Sequence, residues 1–190
     1  MKDNNYKNGL KLIKESPYVI RKLVTFEGHE GVGVNADVHV KRKKVATIID
    51  EGNGGEPYFY YYVDGKHAKT NEELDVFATS LPPYSQAEQY SDDDYDKWST
   101  ERKPWTSGDV INALVDVACE RKDFKKTLRK IIGFKDGKFF TWKHAKKDLE
   151  RLFRHKGKRI TLREIIESDG ITILNLLPED EAFDLLRQHS

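Results

Sequence analysis

The sequence predicts an α+β protein, an N-terminal antiparallel β-meander followed by a mainly helical half with one β-hairpin. Three observations predict it. Val32, Val34, Ala36, Val38 and Val40 alternate with Gly33, Asn35, Asp37 and His39, the period of two of a half-buried strand. Further on, apolar residues recur at helical spacing behind Thr-x-x-Glu and Thr-x-x-Asp starts, where side chains satisfy the orphan amides of a first turn. Asp136-Gly137 stands between Gly133-Phe134 and Phe139-Phe140-Thr141-Trp142, the signal of a two-residue hairpin turn.

In chain order, a short helix is expected around Leu10 to Lys14. Strands follow at Tyr18 to Phe26, Val32 to Val40, Lys44 to Asp50 and the aromatic run Pro57 to Val63, and their short connections imply antiparallel neighbours. Thr70 with Glu73 starts a helix over 71–80, which stops before Pro82-Pro83. Thr106 with Asp109 starts another over 107–120, with Val110, Leu114, Val117 and Ala118 on one face. A third helix would turn Phe124, Leu128, Ile131 and Ile132 inward, and a fourth, over 144–155, would bury Ala145, Leu149, Leu152 and Phe153. Thr161 with Glu164 forms one more capping pair. Ile171 to Leu174 reads as a short strand, and Pro178 suits the first turn of a closing helix. Residues 82–105, with the acidic run Asp92-Asp93-Asp94-Tyr95-Asp96, read as a linker. It separates a sheet with one helix (1–81) from a basic helical region with a hairpin (106–190) that packs on the sheet.

Composition narrows the function classes. The chain has 190 residues, 37% hydrophobic, 34% charged and 11% aromatic, which describes a globular core under a heavily charged surface. Cys119 is the single cysteine, so there is no internal disulfide framework, and its place on an apolar helix face reads as an inert thiol. Met1 to Asn8 carries no apolar signal core, and Ile171 to Leu177 is too short to cross a bilayer, so a cytoplasmic protein without a membrane partner is expected. The six histidines show no paired metal spacing. The Asp92–Asp96 run lacks the glycine and terminal glutamate of a calcium loop, so neither metal nor cofactor is implied.

Charge is strongly segregated. Between Arg121 and Arg163 seventeen Lys or Arg face only Asp123, Asp136, Asp148 and Glu150, a net +13 in a chain whose total is +1. Such a field attracts phosphates or acidic surfaces. On the expected 144–155 helix, Lys143, Lys147, Arg151 and Arg154 form a stripe at spacings of four, four and three. Lys122, Lys126 and Arg129 form a similar surface on the preceding helix. Phe140, between them, would stack bases while the cations neutralise phosphates. The bland alternative is a solvated face and a core aromatic.

Two features of the meander carry chemistry. Its first and third turns, Gly28-His29-Glu30-Gly31 and Asp50-Glu51-Gly52-Asn53-Gly54-Gly55-Glu56, fall at the same end of the sheet. His29, Glu30, Asn35, Asp50, Asn53 and Glu56 would then converge as a ligand or partner site, and a histidine beside carboxylates is the type of a general base. The glycine order matches neither a dinucleotide fingerprint nor a phosphate-binding loop, and glycines at turns most often supply a positive φ. On the aromatic strand, Tyr58, Tyr60 and Tyr62 share one face by parity, free to stack a base or meet a protein.

The run Gly28 to Ala36, followed by Lys43-Lys44-Val45-Ala46 and Asp50 to Glu56, resembles small uncharacterised proteins encoded by bacteriophages and plasmids. The likeness covers mainly residues 18–64, with Ile173-Leu174-Asn175 near the end. Where that pattern has glycine before the paired lysines, this chain has Arg42. The resemblance implies an accessory gene of a mobile element, and no functional residue is carried over from it. The first expectation is therefore a non-enzymatic protein that binds a host factor, with counter-defence one form of it. The alternatives are a nucleic-acid-binding protein using the basic 121–163 block, and an enzyme acting on a nucleotide or nucleic acid through His29, Glu30, Asp50 and Glu56.

Overall fold

The computed structural model describes residues 4–90, 98–145, 149 and 168–188. It has the expected α+β architecture and divides into two compact units, 1–119 and 120–190. The division falls at Cys119/Glu120, inside a helix, and not at the 82–105 segment.

The first unit begins with helix α1 (Asn5–Glu15), capped by the Asn4 side chain, which accepts from the Lys7 amide. Five strands follow: β1 (Tyr18–Glu27), β2 (Val32–Val40), β3 (Lys43–Asp50), β4 (Tyr58–Val63) and β5 (Lys66–Ala68). They form one antiparallel sheet in sequential order. The fifth strand was not expected from the sequence, although Asp64-Gly65, both at positive φ, is the same hairpin signal that marks Asp136-Gly137. Between β2 and β3 the turn uses Lys41 at positive φ ahead of Arg42.

Helix α2 (Glu72–Ser80) starts one residue later than predicted. Asn71, not Thr70, is the cap: its Oδ1 accepts from the Leu74 amide and its Nδ2 donates to the Tyr62 carbonyl. The flanks of the expected linker are built structure. Ser85 and Glu88 close a capping box on the short helix α3 (Gln86–Gln89), and Tyr84 and Lys103 exchange backbone bonds of 3.0 and 2.8 Å. The acidic run at 92–96 lies outside the described residues. Trp105 is buried between Tyr84 and Tyr6, and its indole donates to the Pro82 carbonyl at 3.0 Å. Thr106 and Asp109 cap helix α4 (Ser107–Thr127) reciprocally, as predicted.

Ile13, Leu74, Ala78, Val110, Ile111, Leu114 and Val115 pack on Val34, Ala36, Val38, Ala46 and Ile48. Helices thus cover one face of the sheet. Val117, Ala118 and Cys119, expected to be buried, are only half-buried.

The second unit corrects the helical half. Residues 107–127 form one unbroken helix, and the expected third helix does not exist: Ile131 and Ile132 lie on strand β6 (Lys130–Lys135). Strand β7 (Lys138–Ala145) returns through the Asp136-Gly137 turn, so Lys143 and Ala145 are strand residues and the proposed 144–155 helix cannot begin where predicted. The Thr161–Glu164 pair lies outside the described residues. Strand β8 (Thr172–Ile173) adds to β6, a 3-10 turn spans Leu174–Leu176, and helix α5 (Glu179–Gln188) follows Pro178. On one face Phe124, Ile132, Leu174, Ala182 and Phe183 pack together; Ile131, Ile173 and Leu149 form a separate cluster with Trp142. Asn175 joins the pieces. Its Oδ1 accepts from Ile132, and its Nδ2 donates to the carbonyls of Leu128 and Lys130.

Candidate partner-binding face

The open face of the five-stranded sheet begins with a break in β1. Tyr18 and Ile20 face the core, then Lys22 takes φ 51° and the register slips between Arg21 and Val24. Two residues of β1 there oppose one of β2, a β-bulge that reverses the parity of everything after it. Leu23 and Thr25 take the core side, while Val24 and Phe26 turn outward, 54% and 39% exposed. The signal was present in the sequence as an alternation that skips a beat at Arg21-Lys22.

Across the sheet the outward residues fall into rows. Phe26 pairs Gly33, and its ring occupies the space that a Cβ at Gly33 would take. Val24, Asn35, Ile49 and Tyr58 form the next row. Arg21, Asp37, Thr47 and Tyr60 form the third, with Lys22 beside Asp37. Val19, His39 and Lys44 lie beyond it, with Tyr62 and His67 opposite each other on β4 and β5. Tyr58 and Tyr60 are 58% and 43% exposed, while Phe59 and Tyr61 pack against the core. The parity expected for the tyrosine strand is therefore the parity observed. His67 fixes the tyrosines, its ring centroid 4.6 Å from Tyr62 and 6.2 Å from Tyr60.

One charged cluster sits in the middle of this face. Asp37 is 8% exposed and accepts from the Thr47 hydroxyl at 2.8 Å. Lys22 and Lys44 approach its two oxygens at 3.4 and 3.6 Å. Burial works to raise the Asp37 carboxyl, but the Thr47 hydroxyl and the two ammoniums outweigh it and hold it below its ordinary value. Lys44 also stands 4.0 Å from the Tyr62 ring centroid. Burial opposes its charge, yet the Tyr62 hydroxyl and Asp37 keep its pKa raised. Lys22, Asp37, Lys44 and Thr47 were not singled out from the sequence, because an alternating polar position does not reveal which of its neighbours it will meet.

At one end of the face the two turns converge as predicted. The Glu30 amide donates to the Gly52 carbonyl at 2.8 Å, the His29 amide to Asn53 Oδ1 at 3.4 Å, and the Gly52 amide to Asp50 Oδ1 at 2.8 Å. Gly28 donates to Gly31 at 2.7 Å, and Gly52 and Gly54 take positive φ. All four donors are backbone amides, two of them answered by carbonyls and two by the Asn53 and Asp50 side chains, so the glycines, Asn53 and Asp50 build a rigid double turn. Glu56 is exposed in the same loop without joining these bonds, and Asn35 lies on the sheet face, three residues into β2. Glu27, Glu30, Glu51 and Glu56 are all exposed at this end, and Lys41, Arg42, Lys43 and Lys66 at the other. A cavity of about 800 Å³ opens at the basic end between Lys43–Val45, Tyr62–Gly65 and Thr70–Glu73. Its lysines stand beside acids, Lys43 at 3.4 Å from Asp64 and Lys44 at 3.6 Å from Asp37.

The basic block looks different in three dimensions. Lys126 pairs with Asp123 at 2.7 Å, Arg121 with Asp180 at 2.7 Å and Lys125 with Glu179 at 3.0 Å. The acidic first turn of α5 thus answers the basic end of α4. Lys122 is half-buried and Arg129 is exposed beyond the helix end. Lys143 stands on a strand, which removes the start of the proposed helical stripe, while Lys147, Arg151 and Arg154 lie outside the described residues. Phe140 is 44% exposed on β7, as parity suggested.

No family model, curated protein or solved structure matches this chain. Among the described residues there is no group of three or more metal-ligating side chains, and no helix is long and apolar enough to cross a membrane.

Proposed function

We propose that this is a non-enzymatic accessory protein of a mobile element that acts in the bacterial cytoplasm by binding a host protein through the open face of its N-terminal sheet. The observation that carries this reading is the exposure of Val24, Phe26, Tyr58 and Tyr60, spread over three neighbouring rows, on one side of a sheet whose other side is covered by helices. A solvated sheet face normally alternates polar-out; four large apolar side chains exposed on one such face, two on each side of the Asn35–Ile49 and Asp37–Thr47 pairs, depart from that pattern and favour an interaction surface. Strands of 10, 9, 8, 6 and 3 residues, about 4.8 Å apart with a rise of about 3.3 Å per residue, present roughly 600 Å², of the order of the ~800 Å² per partner of a standard interface.

Charge selects the kind of partner. The apolar rows run into the rigid turn pair with Glu30, Glu51 and Glu56, so the complementary surface is an apolar patch edged by Lys or Arg on a protein. Phosphates would be repelled from that end. The nucleic-acid reading is further weakened at Arg121, Lys125 and Lys126, whose charges are answered within the chain. In the turn pair the bond that holds His29 comes from its backbone amide and its side chain is exposed to solvent, so no side-chain acid–base pair there favours the enzymatic reading.

A photo-crosslinking residue placed at Tyr60 and, as control, at Val76 on the exposed side of α2 tests the reading in cells. One discrete host protein trapped from position 60 and not from 76 supports it. Trapping of a second copy of this chain, of nucleic acid, or of nothing overturns it.

A further inference from the structure

The centre of the open face is built to hold more positive charge than it uses. Lys22 reaches Asp37 only because its backbone adopts a left-handed conformation in mid-strand, a disfavoured state for a non-glycine residue. β1 is an edge strand, where bulges are common, and this one re-aims the Lys22 side chain onto the open face. The ammoniums of Lys22 and Lys44 stand 3.4 and 3.6 Å from the carboxylate, well beyond the roughly 2.8 Å of a saturated charge-assisted hydrogen bond. Each ammonium has three donors. Two cations on one carboxylate leave a net positive charge among Val24, Tyr60 and Tyr62, and the Lys22 side chain is 80% exposed.

We propose that Lys22 and Lys44 form an anion seat that receives an Asp or Glu side chain of the docked protein, with the apolar neighbours of that carboxylate resting on Tyr60. The inference rests on the docking reading above and names what the partner places at the centre of the face. Arg21 shares the row of the seat and Lys41, Arg42 and Lys43 lie beyond it, but a protein carboxylate fits better than a nucleic-acid phosphate because no cationic track continues from the seat towards the acidic turn end. The seat fixes register: an apolar patch without a centred acid would leave the two ammoniums partly desolvated with only the Asp37 carboxylate between them.

Amide chemical-shift titration of the full chain at constant ionic strength tests this with small probes: phenylacetate, phenylacetamide, benzylamine and phenyl phosphate. Phenylacetate should perturb Lys22, Asp37, Thr47 and Tyr60 at millimolar concentration and bind at least about fivefold more tightly than phenylacetamide. Lys22→Asn, which suits the left-handed backbone, and separately Lys44→Met should erase that preference while phenylacetamide binding persists. Equal binding of the acid and the amide, or preference for benzylamine, overturns the seat and leaves the apolar docking face standing. A preference for phenyl phosphate, matched by shifts with an oligothymidylate, overturns the carboxylate assignment in favour of nucleic acid. If no probe perturbs the face, both the seat and the docking reading fail.

Discussion

Phe26 and Gly33 share one space: a Cβ at Gly33 would clash with Cε2 and Cζ at the edge of the Phe26 ring and also come within 2.9 Å of the Asp50 carbonyl. The glycine is therefore needed for contact, not for a turn, and it lets an aromatic ring on the edge strand lie over its neighbour. Gly33→Ala should destabilise the first unit by about 1–3 kcal/mol. Phe26→Ala in the same chain should recover part of that loss, because the ring clash disappears while the Asp50 clash remains. Urea denaturation of the two single variants and the double variant measures the coupling. Strict additivity would show that the ring and the glycine do not meet.

The same relation recurs in the core, where a Cβ at Gly9 would lie 2.5 Å from Trp105 Cζ2. Trp105 also donates to the Pro82 carbonyl, so it joins α1, the 82–84 segment and the start of α4. Trp105→Ala should cost about 3–5 kcal/mol. Trp105→Phe should cost less, chiefly the lost indole bond and part of the packing. Thermal unfolding of both variants orders them, and equal costs would assign the whole effect to the hydrogen bond.

Asp37 makes stability depend on acid. Its folded carboxyl is held below its ordinary value, so it contributes stability above the usual carboxylate range, and that contribution is lost as the pH falls through the folded value. Asp37→Asn should be less stable at neutral pH by about 1–2 kcal/mol. The gap from the parent should narrow as the pH drops below about 4. Denaturation midpoints across pH 2–7 check it; a gap that widens on acidification would reverse the assigned sign.

Asn175 satisfies one amide and two carbonyls of residues more than forty positions away. Asn175→Asp keeps the acceptor but aims an anion at the carbonyls of Leu128 and Lys130, and should destabilise the second unit by about 2–3 kcal/mol. Asn175→Leu should cost a similar amount by leaving all three groups unpaired. Hydrogen exchange at Ile132 reports the loss locally, and unchanged protection there would remove Asn175 from its joining role.

Local sequence carried most of the first unit and the hairpin of the second. The period of two in β2, the parity of the β4 tyrosines, the Thr106–Asp109 cap and the Asp136-Gly137 hairpin are decided by residues within a few positions of one another. At these positions the local steric and hydrogen-bonding preferences agree with the tertiary context. The convergence of the two turns followed from topology alone, since alternate turns of a meander share an end.

Tertiary pairing decided the rest. Ile131-Ile132 fits a helical stripe or a strand equally well, and Lys143 to Ala145 likewise, until the hairpin offers β6 and β7 each a partner; a short apolar doublet cannot choose between periods. Thr70 and Asn71 are both competent caps, and Asn71 was selected by the Tyr62 carbonyl within its reach. The +13 of residues 121–163 is a property of sequence, but how far it acts as a field depends on which acids fold against it, as Glu179 and Asp180 do. By itself the chain determined which residues alternate, turn and cap. Only the packed sheet decided that Val24 and Phe26 face water and that Lys22 meets Asp37, because a one-residue bulge sends every later side chain to the other face.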